Sequence, residues 1–174
     1  HDIDATRFNA IDASKLKLEN NRTKTGAIGA LRSHRGVIQK AIDKKQNIIC
    51  VFEDDIIFCD DFKYRFDYYV RNVPDDWDIM YLGCHFHGCD DPIYVRKSIF
   101  RVVGCFGCFA MILNNKNGLF QRILNVSGGE NQPIDDCINY HIISDKNIKA
   151  YVLKPFFVKT IDTVSDISEV VESY

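Results

Sequence analysis

The chain has 174 residues, 46% of them hydrophobic and 26% charged, with a formal net charge of −2 at pH 7. That length suits one compact domain over residues 1–174, with a core large enough to stand alone, and the composition excludes a disordered chain. The near-neutral charge leaves no basic footprint for nucleic acid, and no apolar stretch has the length of a transmembrane segment. The opening His1-Asp2-Ile3-Asp4 carries neither a signal-peptide pattern nor an initiator Met, which reads as a fragment or a processed product.

Arg7 to Asp12 fits a short strand leading into a Lys- and Asn-rich loop over Ser14 to Lys24. Thr25 can cap a helix from Gly26 to Lys44, with Ile28, Leu31, Val37 or Ile38, Ala41 and Ile42 on its apolar face. Ile48 to Phe52 is an apolar, β-branched run that reads as a strand buried on both faces. A helix follows over 61–72, then a break at Pro74, and a second buried strand over Trp77 to Gly83. Residues 84–97 are polar and irregular; apolar runs at 99–103 and 108–113 flank Gly104 and Gly107. Helices over Asn115–Asn125 and from Ile134 to about Ile143 surround a flexible loop at 127–133, and the strand Ala150–Leu153 and the run Pro155–Val158 close the domain. Strands alternating with helices argue for an α/β layered fold.

The chemistry concentrates at Glu53-Asp54-Asp55, three carboxylates at the end of the first buried strand. Unpaired burial of such charges is very costly, so they must be solvated, paired or metallated. In open α/β sheets the carboxyl end of a strand is also where ligands bind. A divalent cation carrying a phosphate is the simplest partner for the cluster; an acidic turn or helix cap without metal is the plainer account.

The seven cysteines are odd in number, so one chain cannot pair them all. Cys50, Cys59, Cys84, Cys105 and Cys108 lie in or beside apolar runs and read as small buried thiols, which points to a cytoplasmic, reducing compartment and away from a secretory lumen. The sequons at Asn21 and Asn125 matter only in a secretory pathway. Cys84-His85-Phe86-His87-Gly88-Cys89 with Cys105 and Cys108 offers zinc-ligand spacing as an alternative.

Seven short pieces occur in one order. They are Arg7–Asp12; Gly29-Ala30-Leu31-Arg32-Ser33-His34; Val51–Asp55; Asp76–Gly83; Phe109–Leu113 with Gly118; Pro133-Ile134-Asp135; and Pro155–Val158 with Ser165-Asp166-Ile167. Together they resemble the glycosyltransferase family 25 domain of lipopolysaccharide sugar transferases and collagen galactosyltransferases. The chain departs from that pattern at Ala27 and Ala30, where the family usually has Glu and Cys. The family's first strand and its Asn-Leu…Arg segment lie upstream of Arg7 and are missing here, so the resemblance implies a donor site lacking part of its nucleotide-base pocket.

The resemblance implies a nucleotide-diphosphosugar transferase (GT-A-like) fold with a mixed, mostly parallel sheet flanked by helices. It implies transfer of galactose or glucose from a UDP-sugar to a glycan or protein hydroxyl, with inversion, aided by Mn²⁺ or Mg²⁺. Asp55 is then the direct metal ligand. Glu53 faces the same way if the backbone stays extended and reaches the ribose or a metal-bound water, while Asp54 completes the acidic set from the opposite face. Asp135 is the catalytic base, with an N-cap as its plainer role and Asp136 beside it as an alternative base. Ser33 and His34 are donor contacts, although a His in such a helix also commonly bonds a neighbouring loop. Asp166, in a tail folding back over the donor, is a further metal or diphosphate contact, and Arg32, Arg35 and Lys159 are candidate phosphate contacts.

Two other classes compete. A catalytically silent sugar- or protein-binding domain of the same fold is favoured by the Ala27 and Ala30 departures and disfavoured by an intact Glu53-Asp54-Asp55 and Asp135. A metal-dependent phosphohydrolase would need further carboxylates or a His ending neighbouring strands, whereas Asp78 begins its strand.

Overall fold

The computed structural model describes residues 3–16, 22–129 and 132–161. Helix α1 (Arg22–Asp43) buries Ala27, Ile28, Leu31, His34, Ile38 and Ala41, the three-and-four spacing of one helical face. It starts earlier than the sequence suggests, so Thr25 lies inside the helix and is not its cap. At its other end Lys45 takes a left-handed φ of 56° while Lys45 N donates to Ile42 O and Gln46 N to Ala41 O. This pair of bonds satisfies the last carbonyls and turns the chain into the sheet.

Strands β1 (Ile48–Phe52), β2 (Ile56–Phe58) and β3 (Ile79–His85) come next, with α2 (Phe62–Val70) between the last two. The stretch taken as irregular contains β4 (Ile93–Arg96), which pairs with β5 (Ile99–Arg101). Then follow β6 (Phe106–Asn114), α3 (Leu119–Val126), α4 (Ile134–Ile138) running on as a π-helical turn over Asn139–Ile143, β7 (Ala150–Leu153) and β8 (Val158–Thr160).

The main sheet has the order β1-β6-β3-β7-β5-β4, and only the β3–β7 ladder is parallel. Every other ladder in it is antiparallel, which corrects the mostly parallel sheet expected. The misreading has a physical source. A sheet covered on both faces gives unbroken apolar runs whichever way its strands point. Along β3, Ile79 and Tyr81 face one core, and Met80 and Leu82 face the other. The first core lies under α1, α3 and α4, and the second under α2 and the separate two-stranded sheet β2–β8. Each fully buried Leu or Ile in these layers contributes about 1.5–3 kcal/mol of transfer free energy.

Arg7 to Asp12 does not form the strand expected of it. It lies along α1, with the Phe8 ring on Gly36 where a Cβ would collide, and Ile11 N donating to Ser33 Oγ at 2.9 Å. Asp12 then accepts from Ser14 N and starts a 3-10 turn over Ala13–Lys15. Among the described residues β1 is therefore an edge strand of the main sheet, paired only with β6.

Because β1 and β3 both run antiparallel to β6, their carboxyl ends meet the amino end of β6. Phe52 lies opposite Ala110, and His85 opposite Phe106. This end of the sheet gathers the candidate site.

Candidate functional site

Glu53 follows directly on β1, and its N–H donates to Phe109 O at 2.9 Å, one step beyond the ladder. The chain then bends through Asp54 and Asp55 and re-enters a strand at Ile56. The three carboxylates therefore sit on a turn rather than on the extended backbone assumed from the sequence. Asp54 is exposed and Asp55 half-buried, with Asp55 O accepting from Ile161 N at 2.8 Å. Asp55 Oδ1 is shielded from solvent and has no hydrogen-bond partner among the described residues.

Glu53 carries the strongest electrostatic signature of the site. Burial raises its pKa above the ordinary carboxylate range, and repulsion from Asp55, Asp135 and Asp54 adds to the rise, while His34 opposes it. Its side chain is nevertheless 38% exposed, so the carboxylate opens toward solvent at the mouth of the site. His34, only 6% exposed, stands behind it with Nε2 at 3.6 Å from Glu53 Oε1. The same Nε2 lies 3.3 Å from Cys108 O, and Nδ1 lies 3.1 Å from Ala30 O. His34 thus links α1, the start of β6 and the acidic turn, the bonding to a neighbouring segment considered for it.

Asp135 joins this group from α4. Pro133 holds the N-cap position of that helix, so Asp135 does not serve as the cap considered for it. Its Oδ2 accepts from Gly107 N at 3.3 Å and its Oδ1 from Asp136 N at 3.0 Å. Gly107 has φ of 80°, and a Cβ there would come within 2.9 Å of both the His85 ring and the Phe109 ring. Only glycine lets the chain turn at that point and still present its N–H to Asp135. Four residues on, Asn139 Oδ1 accepts from Cys105 N at 3.2 Å, so two side chains of α4 and its π-turn hold the turn that opens β6. Asp136 has its pKa raised by burial and by Asp135.

The remaining candidates lie elsewhere. The Ser33 hydroxyl donates to Gly29 O at 2.8 Å and accepts from Ile11 N, which ties the N-terminal segment to α1. Arg35 has a structural use: its Nη1 donates to Leu124 O and Ser127 Oγ and closes the end of α3. Lys159 is exposed on β8, and Arg32 is half-buried on α1. Asp166 and Asn21 lie outside the described residues.

Cys84, Cys105, Cys108 and Cys137 are buried, Cys59 and Cys89 half-buried, and Cys50, expected inside, is exposed. Burial pushes the Cys84 and Cys108 thiols well up. Among the described residues no three His, Cys, Asp or Glu side chains are set to hold a metal ion by themselves. This holds for the cysteines and histidines of 84–108 and for the acidic turn alike. The orphaned Asp55 Oδ1 supplies one hard donor of the kind a divalent cation takes.

Sequence reasoning missed Gly107 and Asn139 as site residues. The signal for the first was the Gly104/Gly107 pair between two apolar runs, and for the second its spacing of four from Asp135.

Among the described residues no helix is long and apolar enough to cross a membrane. Residues 2–101 match the family described as Glycosyltransferase family 25 (LPS biosynthesis protein). The match takes in Glu53-Asp54-Asp55 and His34, and Asp135 lies beyond it. In a comparison with curated proteins nothing matches the chain. A family match over more than half of the sequence is sufficient, and the chain belongs to glycosyltransferase family 25.

Proposed function

We propose that this chain moves a hexose, galactose or glucose, from a UDP-sugar to a hydroxyl acceptor with inversion at the sugar carbon. The observation that carries the reading is the convergence on Glu53 of charge from Asp54, Asp55 and Asp135, which come from two separate parts of the chain. Such mutual repulsion is unfavourable in a structure without a cationic ligand, and a metal–diphosphate relieves it.

Asp135 takes the proton from the acceptor hydroxyl as that oxygen bonds to the sugar carbon. The bond from the same carbon to the diphosphate oxygen breaks, and the electron pair leaves with UDP. The bonds from Gly107 N and Asp136 N fix the Asp135 carboxylate in place and leave it lone pairs for that proton. His34 holds Glu53 at the mouth of the site, where the carboxylate can accept from the ribose or from water. A divalent cation, Mn²⁺ or Mg²⁺, held by Asp55 with help from Glu53 and Asp54, would neutralise the departing diphosphate. Asp166, in the same reading, approaches the diphosphate from the tail.

A silent binding domain remains the second reading, because both Asp135 oxygens already hold backbone N–H groups and so have a structural use. Calorimetric titration with UDP separates the two. With Mn²⁺ present the chain should bind UDP, and binding should vanish in EDTA and in Asp55→Ala. Binding that is indifferent to both changes, or absent throughout, overturns the donor site.

A further inference from the structure

Beside the acidic site lies a shallow cavity that the mechanism above does not use. It has a volume of about 280 Å³ and is lined by Gly88, Cys89, Asp90, Asn139, Tyr140 and Ser144, with Val103 and Gly104 beneath. Resting on the donor-site reading, we propose that this cavity is the acceptor subsite and that it takes a single sugar ring.

Size is the first argument. Small-molecule pockets run from about 300 to 1,000 Å³, so a cavity of about 280 Å³ at the lower edge of that range suits one pyranose better than a nucleotide-diphosphate sugar. Its lining is the second. Tyr140 lines the cavity and is 55% exposed, and its ring packs T-shaped on Phe106 at 6.1 Å, so an aromatic ring held in place stands at the rim. Sugars present C–H groups on one face and hydroxyls around their edge. An aromatic face next to a carboxylate, an amide and a hydroxyl matches that pattern, and here these are Asp90, Asn139 and Ser144.

The floor depends on a missing side chain. A Cβ on Gly104 would sit 3.2 Å from Asn139 Oδ1 and 3.3 Å from Cys89 Sγ, so glycine keeps the base of the cavity open. Gly88, at φ of 65°, has no atom within 4 Å of where its Cβ would be, and the turn it makes forms an open wall.

Position is the third argument. Asn139 lines the cavity and is four residues from Asp135, a spacing of about 5–6 Å between side-chain roots on a helix. Both side chains hold the same turn, Asn139 through Cys105 N and Asp135 through Gly107 N. A ring seated on Tyr140 can therefore direct an edge hydroxyl toward Asp135. The π-turn at Asn139–Ile143 marks the segment further, since such turns recur at functional sites.

The test is a ¹H–¹⁵N titration of the intact chain with methyl β-galactoside and methyl β-glucoside, run alongside the UDP titration. Shifts should centre on the Gly88 and Gly104 amides and the Asn139 side chain. They should disappear in Tyr140→Ala and need at least about tenfold more hexoside in Asp90→Asn, while both variants still bind UDP. No shift at these positions with either hexoside, or shifts unchanged in Tyr140→Ala, overturns the proposal. Hexoside binding by a chain that does not bind UDP supports a sugar site but overturns its role as the acceptor site of a transferase. UDP binding without hexoside binding leaves the donor site standing and removes this one.

Discussion

The two ends of the β3–β6 ladder treat carboxylates in opposite ways. At the end where β3 begins, Asp78 is 1% exposed and stitched into the backbone: its Oδ2 accepts from Lys149 N, its N–H donates to Lys149 O, and its carbonyl accepts from Asn114 N. Its Oδ1 has no partner, but protein seals it on every side. At the end where β3 finishes, Asp54, Asp55 and Asp135 repel Glu53, and the shielded Asp55 Oδ1 belongs to a half-exposed turn. Burial alone therefore does not mark a functional acid. What separates the two ends is the crowding of like charge: backbone N–H groups hold Asp78 and Asp135 alike, but only around Glu53 do Asp54, Asp55 and Asp135 converge.

The strongest way to break this contrast is Asp135→Asn. The amide keeps an oxygen for Gly107 N, so the turn that opens β6 should persist while the base is lost. We expect the transfer rate to fall by about 10²–10⁴-fold, with UDP affinity changed by less than a factor of two. Single-turnover transfer and calorimetry on one preparation check both. An unchanged rate would reduce Asp135 to its structural bonds.

Asp78→Ala tests the other end. Removing the acceptor of a charge-assisted bond to Lys149 N should cost about 1.5–3 kcal/mol in urea unfolding. UDP affinity of the folded fraction should be unchanged. A tenfold loss of UDP affinity without loss of stability would place Asp78 in the site and erase the distinction.

How much of this was legible in the sequence follows from the same contrast. β1 and β7 are found at the residues the apolar runs indicate, because alternate side chains must fill two cores whatever the strand direction. Direction was not legible: the register of β6 between β1 and β3 is set by long-range pairing that a run such as Phe109–Leu113 does not encode. The acidic cluster could be located from its composition and a turn was one reading of it, but Asp54-Asp55 alone did not decide between a turn and a continuing strand. Asp135 was found through a motif, whereas its bond to Gly107 depends on a left-handed turn visible only once β6 is folded. A hydroxyl in a motif reads as a ligand contact, and the support Ser33 gives a neighbouring segment could not be read from it.

Ser33→Ala makes that distinction measurable. Loss of the bond from Ile11 N should cost about 0.5–1.5 kcal/mol and speed hydrogen exchange at the Ile11 amide, with UDP affinity unchanged. A fall in UDP affinity with no change at Ile11 would return Ser33 to the donor site.

The smallest effect is the most discriminating, and it concerns Glu53→Gln. The folded pKa of Glu53 is raised above its ordinary value of 4.5, chiefly by burial. Between those two values the folded chain binds more protons than the unfolded chain, so stability falls as pH rises through the window. Gln carries no such slope. Relative to wild type, the variant should therefore gain stability as the pH is raised from 4 to 8 and lose UDP affinity. With the side chain 38% exposed, solvent screening should hold the gain below about 1 kcal/mol. Urea midpoints across that pH range decide the sign. If wild type gains on the variant as pH rises, attraction to His34 outweighs burial and the three neighbouring carboxylates. Glu53 would then be satisfied like Asp78, and the acidic end of the sheet would no longer need a cationic ligand to explain it.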